Sequence, residues 1–141
     1  MNLPAKALAM WLLLLVVMML NGALRVLLLQ PRFGEDAARQ LATLSGIVLV
    51  LALSRPFVVW AGRPGSRTLL GVGLAWVALT LAFEFGFGWA AGRSLAEMLA
   101  DYALWRGRLW PLFLVATLLG PMLWGRSARG AGLRGGSAGA V

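Results

Sequence analysis

The chain has no cysteine, no histidine and only five acidic residues among 141. The first absence excludes disulfides, thiol nucleophiles and cysteine-based metal sites, and the second removes the side chain that most often moves protons in catalysis. Together they argue against an enzyme and give no reason to expect a metal or cofactor. Charge is also scarce: 13% of residues are charged and 60% are hydrophobic, with a mean hydropathy of +0.81. A soluble domain is about a quarter charged. So few charged side chains cannot form the polar skin that water requires, whereas a helical protein surrounded by lipid needs none.

What is present is a set of long apolar runs. The first extends from about residue 5 to 29, and a crossing takes ~20 residues at a rise of ~1.5 Å each. Lys6 followed by this run also resembles a signal peptide. However, Asn21-Gly22-Ala23-Leu24 offers no clear small-x-small cleavage site and the apolar pattern resumes after Arg25, so an uncleaved helix is expected. Gln30-Pro31-Arg32-Phe33-Gly34 predicts a break. A second run, about 37–53, ends near Ser54-Arg55-Pro56, because extension to Trp60 would carry Arg55 and Pro56 inside the helix.

A basic, turn-rich loop at 61–68 leads to a third run at 69–90. The fourth, 109–124, is short at roughly 24 Å and contains Pro121, which predicts a kink. Before it, Leu95, Met98, Leu99, Tyr102 and Trp105 recur at helical spacing over about 94–106. Ser94 and Glu97 match a capping box, so a short amphipathic helix along the membrane surface is expected. Residues 125–141 are Gly, Ala, Ser and Arg with almost nothing to bury, a composition that predicts a disordered basic tail. The fold expected is therefore an all-α membrane protein, a bundle of four transmembrane helices plus an interfacial helix before the fourth, forming one domain over 1–124.

The net charge of +8 comes from thirteen basic residues, all arginine except Lys6. They lie between and after the apolar runs, which points to lipid headgroups rather than nucleic acid. One side of the expected bundle holds Lys6, Arg55, Arg63, Arg67, Arg126, Arg129 and Arg134. The other holds Arg25, Arg32, Arg39, Arg93, Arg106 and Arg108 together with Glu35, Asp36, Glu97 and Asp101. The basic count leans toward both termini being cytoplasmic, in a bacterial inner membrane. Trp60, Trp89, Trp110 and Trp124 fall near the expected helix ends, where an indole keeps its N–H wet; Trp11 and Trp76 lie deeper and read as packing residues.

Along the third run Gly71, Ala75, Ala78, Ala82, Gly86 and Ala90 make a stripe of small residues on which another helix could close. Glu84 lies on the opposite side with Gly73, Thr80 and Gly88, and two non-lipid faces would place this helix centrally. Glu84 is the one acid inside an apolar run, and an ionisable group there needs a partner or a function. Arg25 lies at a matching depth on the first run, with Asn21 one turn before it. The expected constellation is a shielded Arg25–Glu84 pair, hydrogen-bonded by Asn21, with Arg32, Arg93, Asp101 and Arg108 around its mouth. Such a pair would either fix helix register or serve a proton relay or a small anionic ligand. Glu97 and Asp101, one turn apart, read as a solvated polar face.

Gly22-Ala23-Leu24-Arg25-Val26, Pro31-Arg32-Phe33-Gly34-Glu35, Phe83-Glu84-Phe85-Gly86, Asp101-Tyr102 and Gly107-Arg108-Leu109-Trp110-Pro111 together resemble an uncharacterised family of small bacterial inner-membrane proteins, over about residues 15 to 122. The resemblance implies a four-helix membrane protein and assigns no residue a role. The functional expectation is an accessory or scaffold subunit in the lipid bilayer, with a protein partner or a second copy of itself. The alternative is a small oligomeric proton-coupled transporter using the embedded Glu84. That arrangement superficially resembles the small multidrug resistance transporters, although their acid lies in the first helix and Glu84 lies in the third.

Overall fold

The structure, a computed structural model, describes residues 1–136. Those residues are helical throughout apart from turns, with no strand among them. Helix α1 runs Leu3–Phe33, α2 Glu35–Trp60 and α3 Ser66–Ala90, and all three are long and apolar enough to cross a membrane. A six-residue helix, α4 (Leu95–Ala100), and a single turn at Leu104–Arg106 connect α3 to α5, Trp110–Gly136.

The break expected at Pro31 does not occur there. Proline lacks the N–H that would bond the carbonyl of Leu27, and its ring crowds that carbonyl. The chain relieves the clash by widening one turn: Arg25–Leu29 is π-helical, and the Gln30 N–H bonds the Arg25 carbonyl five residues back. The helix then continues through Pro31 and stops at Gly34, whose φ of +81° suits a residue without Cβ.

Similarly, α2 passes through Arg55 and Pro56 and ends at Trp60, beyond the expected limit near residue 53. Both obstacles are met from α5: the Trp124 indole N–H donates to the Leu51 carbonyl at 2.6 Å, and the exposed Arg55 guanidinium stands 5.7 Å from the centre of the Trp124 ring. Ser54, fully buried beside them, donates to its own helix at the Val50 carbonyl. Past Trp124, α5 continues helical to Gly136, so the expected disorder of 125–141 does not hold for 125–136; residues 137–141 lie outside those described. The expected surface helix at 94–106 is shorter, because the chain turns at Asp101 and Tyr102 and Gly107 reverses it at φ +75°. Its start is as expected, with both hydrogen bonds of the Ser94–Glu97 capping box formed.

Packing is led by α5, which lies against both α2 and α3, while α1 packs chiefly on α2 and touches α3 only sparsely. The core gathers Met10, Leu14, Val50, Phe57, Leu69 and Trp76, in the half that holds the N-terminus. There the α1–α3 seam is closed by two indoles: Trp76 donates to the Ala7 carbonyl at 2.9 Å and Trp11 to the Thr80 hydroxyl at 3.1 Å.

The small-residue stripe expected to pack on α3 faces outward: Gly71, Ala75, Ala78, Ala82, Gly86 and Ala90 are all exposed. The opposite face is the buried one, and α3 is not central. A Cβ on Gly73 would come within 2.0 Å of the Leu118 carbonyl oxygen, so it is here that α3 and α5 approach backbone to backbone. The small stripe that does bury is on α2, at Ala38, Ala42 and Gly46. The sequence displays both stripes, and the large residues decide between them: Trp76 and Leu69, fully buried, take α3's Gly73 face inward with them. Gly73→Ala should therefore lower stability by about 1–3 kcal/mol through overpacking, whereas Gly71→Ala, with open space around it, should leave the unfolding temperature of the purified protein unchanged or slightly raised.

Candidate functional site

The loose upper part of the α1–α3 seam encloses a cavity of about 410 Å³. Its floor and walls are apolar: Trp11, Leu14, Leu15 and Met18 from α1, Phe83 from α3 and Phe113 from α5. Its polar groups collect at the other end. Arg25 comes from the widened turn of α1, Arg39 from the second turn of α2 and Glu84 from the last turns of α3. Arg93, Asp101, Tyr102 and Arg108 come from the connection, and Trp110 from the start of α5.

Asp101 is the centre of the charged end. Its carboxylate takes Arg39 Nη1 at 3.0 Å, Arg93 Nη2 at 3.3 Å and Arg108 Nη1 at 3.6 Å, tying α2 to the connection between α3 and α5. Arg39 also pairs with Glu35 one turn earlier on α2. These side chains are a quarter to a half exposed, so the network is partly screened. Its role is geometric, since it holds three guanidiniums around one point.

The expected Arg25–Glu84 pair does not form. Both residues line the cavity, but no ion pair joins them, and Arg25 makes none with any described residue. Glu84 instead meets the Tyr102 hydroxyl, which donates at 3.5 Å, the outer limit of a hydrogen bond. Burial, followed by the charge of Glu84, pushes the Tyr102 phenol up to about 12, so it remains a donor at any physiological pH. Asn21 does not serve a pair either. Its amide donates to the Ala42 carbonyl at 2.8 Å and its oxygen accepts from the Ser45 hydroxyl at 2.8 Å, which pins α1 to α2. Arg32 is exposed outside the cavity, beyond the point where α1 passes Pro31. Of the expected constellation, Arg93, Asp101 and Arg108 are joined, Arg25, Glu84 and Asn21 share the cavity, and Arg32 is apart.

Two members escaped the sequence reading. Arg39 was counted only as a loop charge, although it flanks the Ala38, Ala42, Gly46 face that turns α2 inward. Trp110 was read as a boundary residue, and its N–H is in fact buried beside Glu84 and Tyr102 without reaching either in hydrogen-bonding geometry. Arg39 Nε and Arg108 Nη1 are likewise buried donors with no hydrogen-bond acceptor.

Chemically the arrangement can bind, and it can hold or release a proton at Glu84. Among the described residues no cluster suits a metal ion. Comparisons with family models, curated proteins and solved structures return no match, so the resemblance noted in the sequence gains no support and meets no contradiction.

Asp101→Asn should destabilise the fold by on the order of 1–3 kcal/mol, the lower part of the range for breaking a buried pair because these groups are partly exposed. The loss should be non-additive with Arg39→Gln in a double-mutant unfolding cycle, whereas Arg25→Gln and Glu84→Gln should add independently. A second expectation concerns pH. Hydrogen bonds from the Ser94 backbone and hydroxyl hold the fully exposed Glu97 carboxyl below its usual 4.5. A depressed folded-state value means the cap stabilises α4 above that pH and loses its effect as pH falls through the lowered value. Amide exchange at the start of α4 should accelerate below pH 4.5 in the wild type and show no such step in Glu97→Gln.

Proposed function

We propose that the chain is a multi-pass protein of the bacterial inner membrane, crossing four times with both termini cytoplasmic. We further propose that its cavity binds a small solute, with Glu84 as the group that exchanges a proton. Three crossings are supported by the length and apolarity of α1, α2 and α3. The fourth would be α5, which contains Thr117, Gly120, Pro121 and Trp124 and so is less apolar. A helix lying against α2 and α3 can carry such residues because neighbouring helices, rather than lipid, cover much of its surface. The two ends of the bundle differ as a membrane protein's should. Lys6, which donates to the Trp60 carbonyl at 2.7 Å, sits with Arg55, Trp124 and Arg129 at one end, and every acid but Glu84 lies toward the other. Exposed Leu95, Leu99 and Trp105 around α4 would enter the headgroup region.

The observation that carries the functional part is Glu84 itself: a carboxyl on an apolar helix that faces a cavity and has no basic partner in contact. A purely structural acid would be expected in a close ion pair, and Arg25, at hand on the cavity wall, does not form one. The accessory-subunit reading draws support only from the exposed apolar ridge at α4, which headgroups would cover equally well.

The absence of cysteine makes the topology directly testable with single substitutions. In intact cells an impermeant maleimide should label Ala96→Cys and spare Ser127→Cys; labelling of both from one side would remove the fourth crossing. For the site, the purified protein in weak buffer should release about one proton on adding tetraphenylphosphonium or take up about one on adding tetraphenylborate. Glu84→Gln should lose the response. Silence toward both ions would sink the carrier reading.

A further inference from the structure

Resting on the cavity reading above, we propose that the solute is a single-chain amphiphile headed by a phosphate monoester, its head among Arg39, Arg108 and Trp110 and its chain against the apolar wall. The charge balance selects an anion. Four guanidiniums, Arg25, Arg39, Arg93 and Arg108, line the cavity against two carboxyls, Glu84 and Asp101, leaving an excess of two positive charges even with both acids ionised. A cation would be repelled; a phosphate monoester, at close to two negative charges near neutrality, neutralises that excess.

Hydrogen bonding selects the head more narrowly. Arg39 Nε, Arg108 Nη1 and Trp110 Nε1 are the three buried side-chain donors without an acceptor among the described residues, and all three residues line this one cavity. Leaving a buried donor unsatisfied is costly, and three at one place define an acceptor with several oxygens presented in different directions. They come from α2, from the connection and from α5, so they approach from separate elements rather than in the single plane that a carboxylate presents. A tetrahedral phosphate, with three terminal oxygens, meets this set. Asp101 does not oppose it, because its own charge is already taken up by three arginines.

The remaining walls select the tail. Trp11, Leu14, Leu15, Met18, Phe83 and Phe113 offer apolar surface and methionine's adaptable packing below the donors. At about 410 Å³ the cavity lies in the lower part of the ~300–1,000 Å³ range of small-ligand sites, enough for a head and one chain. The sparse contact of α1 with α3 gives that chain a route in from the side.

The test is thermal unfolding of the purified full chain in a neutral detergent. Hexyl phosphate should raise the midpoint saturably, and hexyltrimethylammonium should not. Arg108→Gln should weaken the hexyl phosphate response on the order of tenfold or more, the effect of removing a charge-assisted hydrogen bond. Trp110→Phe, which keeps a ring and removes only the N–H donor, should weaken it severalfold and provides the result if Arg108→Gln does not fold. Arg32→Gln, outside the cavity, should bind as wild type. Inorganic phosphate binding as tightly as hexyl phosphate would make the free ion the ligand and overturn the amphiphile. Equal response to the cation, or unchanged affinity in both cavity variants, would overturn the site. Proton exchange with tetraphenylphosphonium alone, without hexyl phosphate binding, would remove this inference and leave the carrier reading standing.

Discussion

The arrangement depends on how closely α3 can approach α5. At Gly73 the two backbones come near enough that a single Cβ would meet the Leu118 carbonyl, and the same kind of gap recurs along the interface, where Leu69 fills the space beside Gly125. Each lets α5 sink between α2 and α3 and take most of their inner surface. What is left for α1 is mainly α2, to which it is fastened by Asn21 and, near the N-terminus, by apolar packing. The cavity follows from this unequal sharing: the seam that α5 does not fill is the one between α1 and α3.

The charged end obeys a similar logic of substitution. An acid inside an apolar run invites pairing with the nearest base of equal depth, and Arg25 satisfies that description. Yet the carboxylate that gathers arginines is Asp101, which the chain delivers by stopping α4 after six residues and turning inward. A surface helix long enough to reach Trp105 would have kept Asp101 on a wet face. The turn at Asp101 and Tyr102 therefore moves a carboxylate from solvent to the mouth of the cavity and leaves Glu84 facing inside.

Much of the fold is legible in the residues because apolar length is a one-dimensional signal. The three longest helices, the capping box at Ser94 and the reversal at Gly107 need no knowledge of neighbours. The departures are all places where a neighbour intervenes. Pro31 and Pro56 predict helix ends from local geometry; the first is absorbed by a widened turn and the second lies beside Trp124 of α5. The exposed stripe on α3 is indistinguishable from a packing stripe until Trp76 is known to point the other way. The site was legible in its members more than in its pairings: Arg93, Asp101 and Arg108 are together, while Arg39 and Trp110 gain their meaning only from burial.

The widened turn at Arg25–Leu29 also constrains the length of the chain. A π-helical turn accommodates one residue more than an α-helical turn of the same rise, so removing any single residue there would restore ordinary winding and swing all that follows by ~100° about the axis. Gly34 would then release the chain in a different direction, away from where α2 begins. Between Asn21 and Gly34, spacing is consequently held more tightly than side-chain identity. Leucine may be exchanged for valine in this stretch at small cost, but an insertion or deletion would have to be matched by a compensating one before α2.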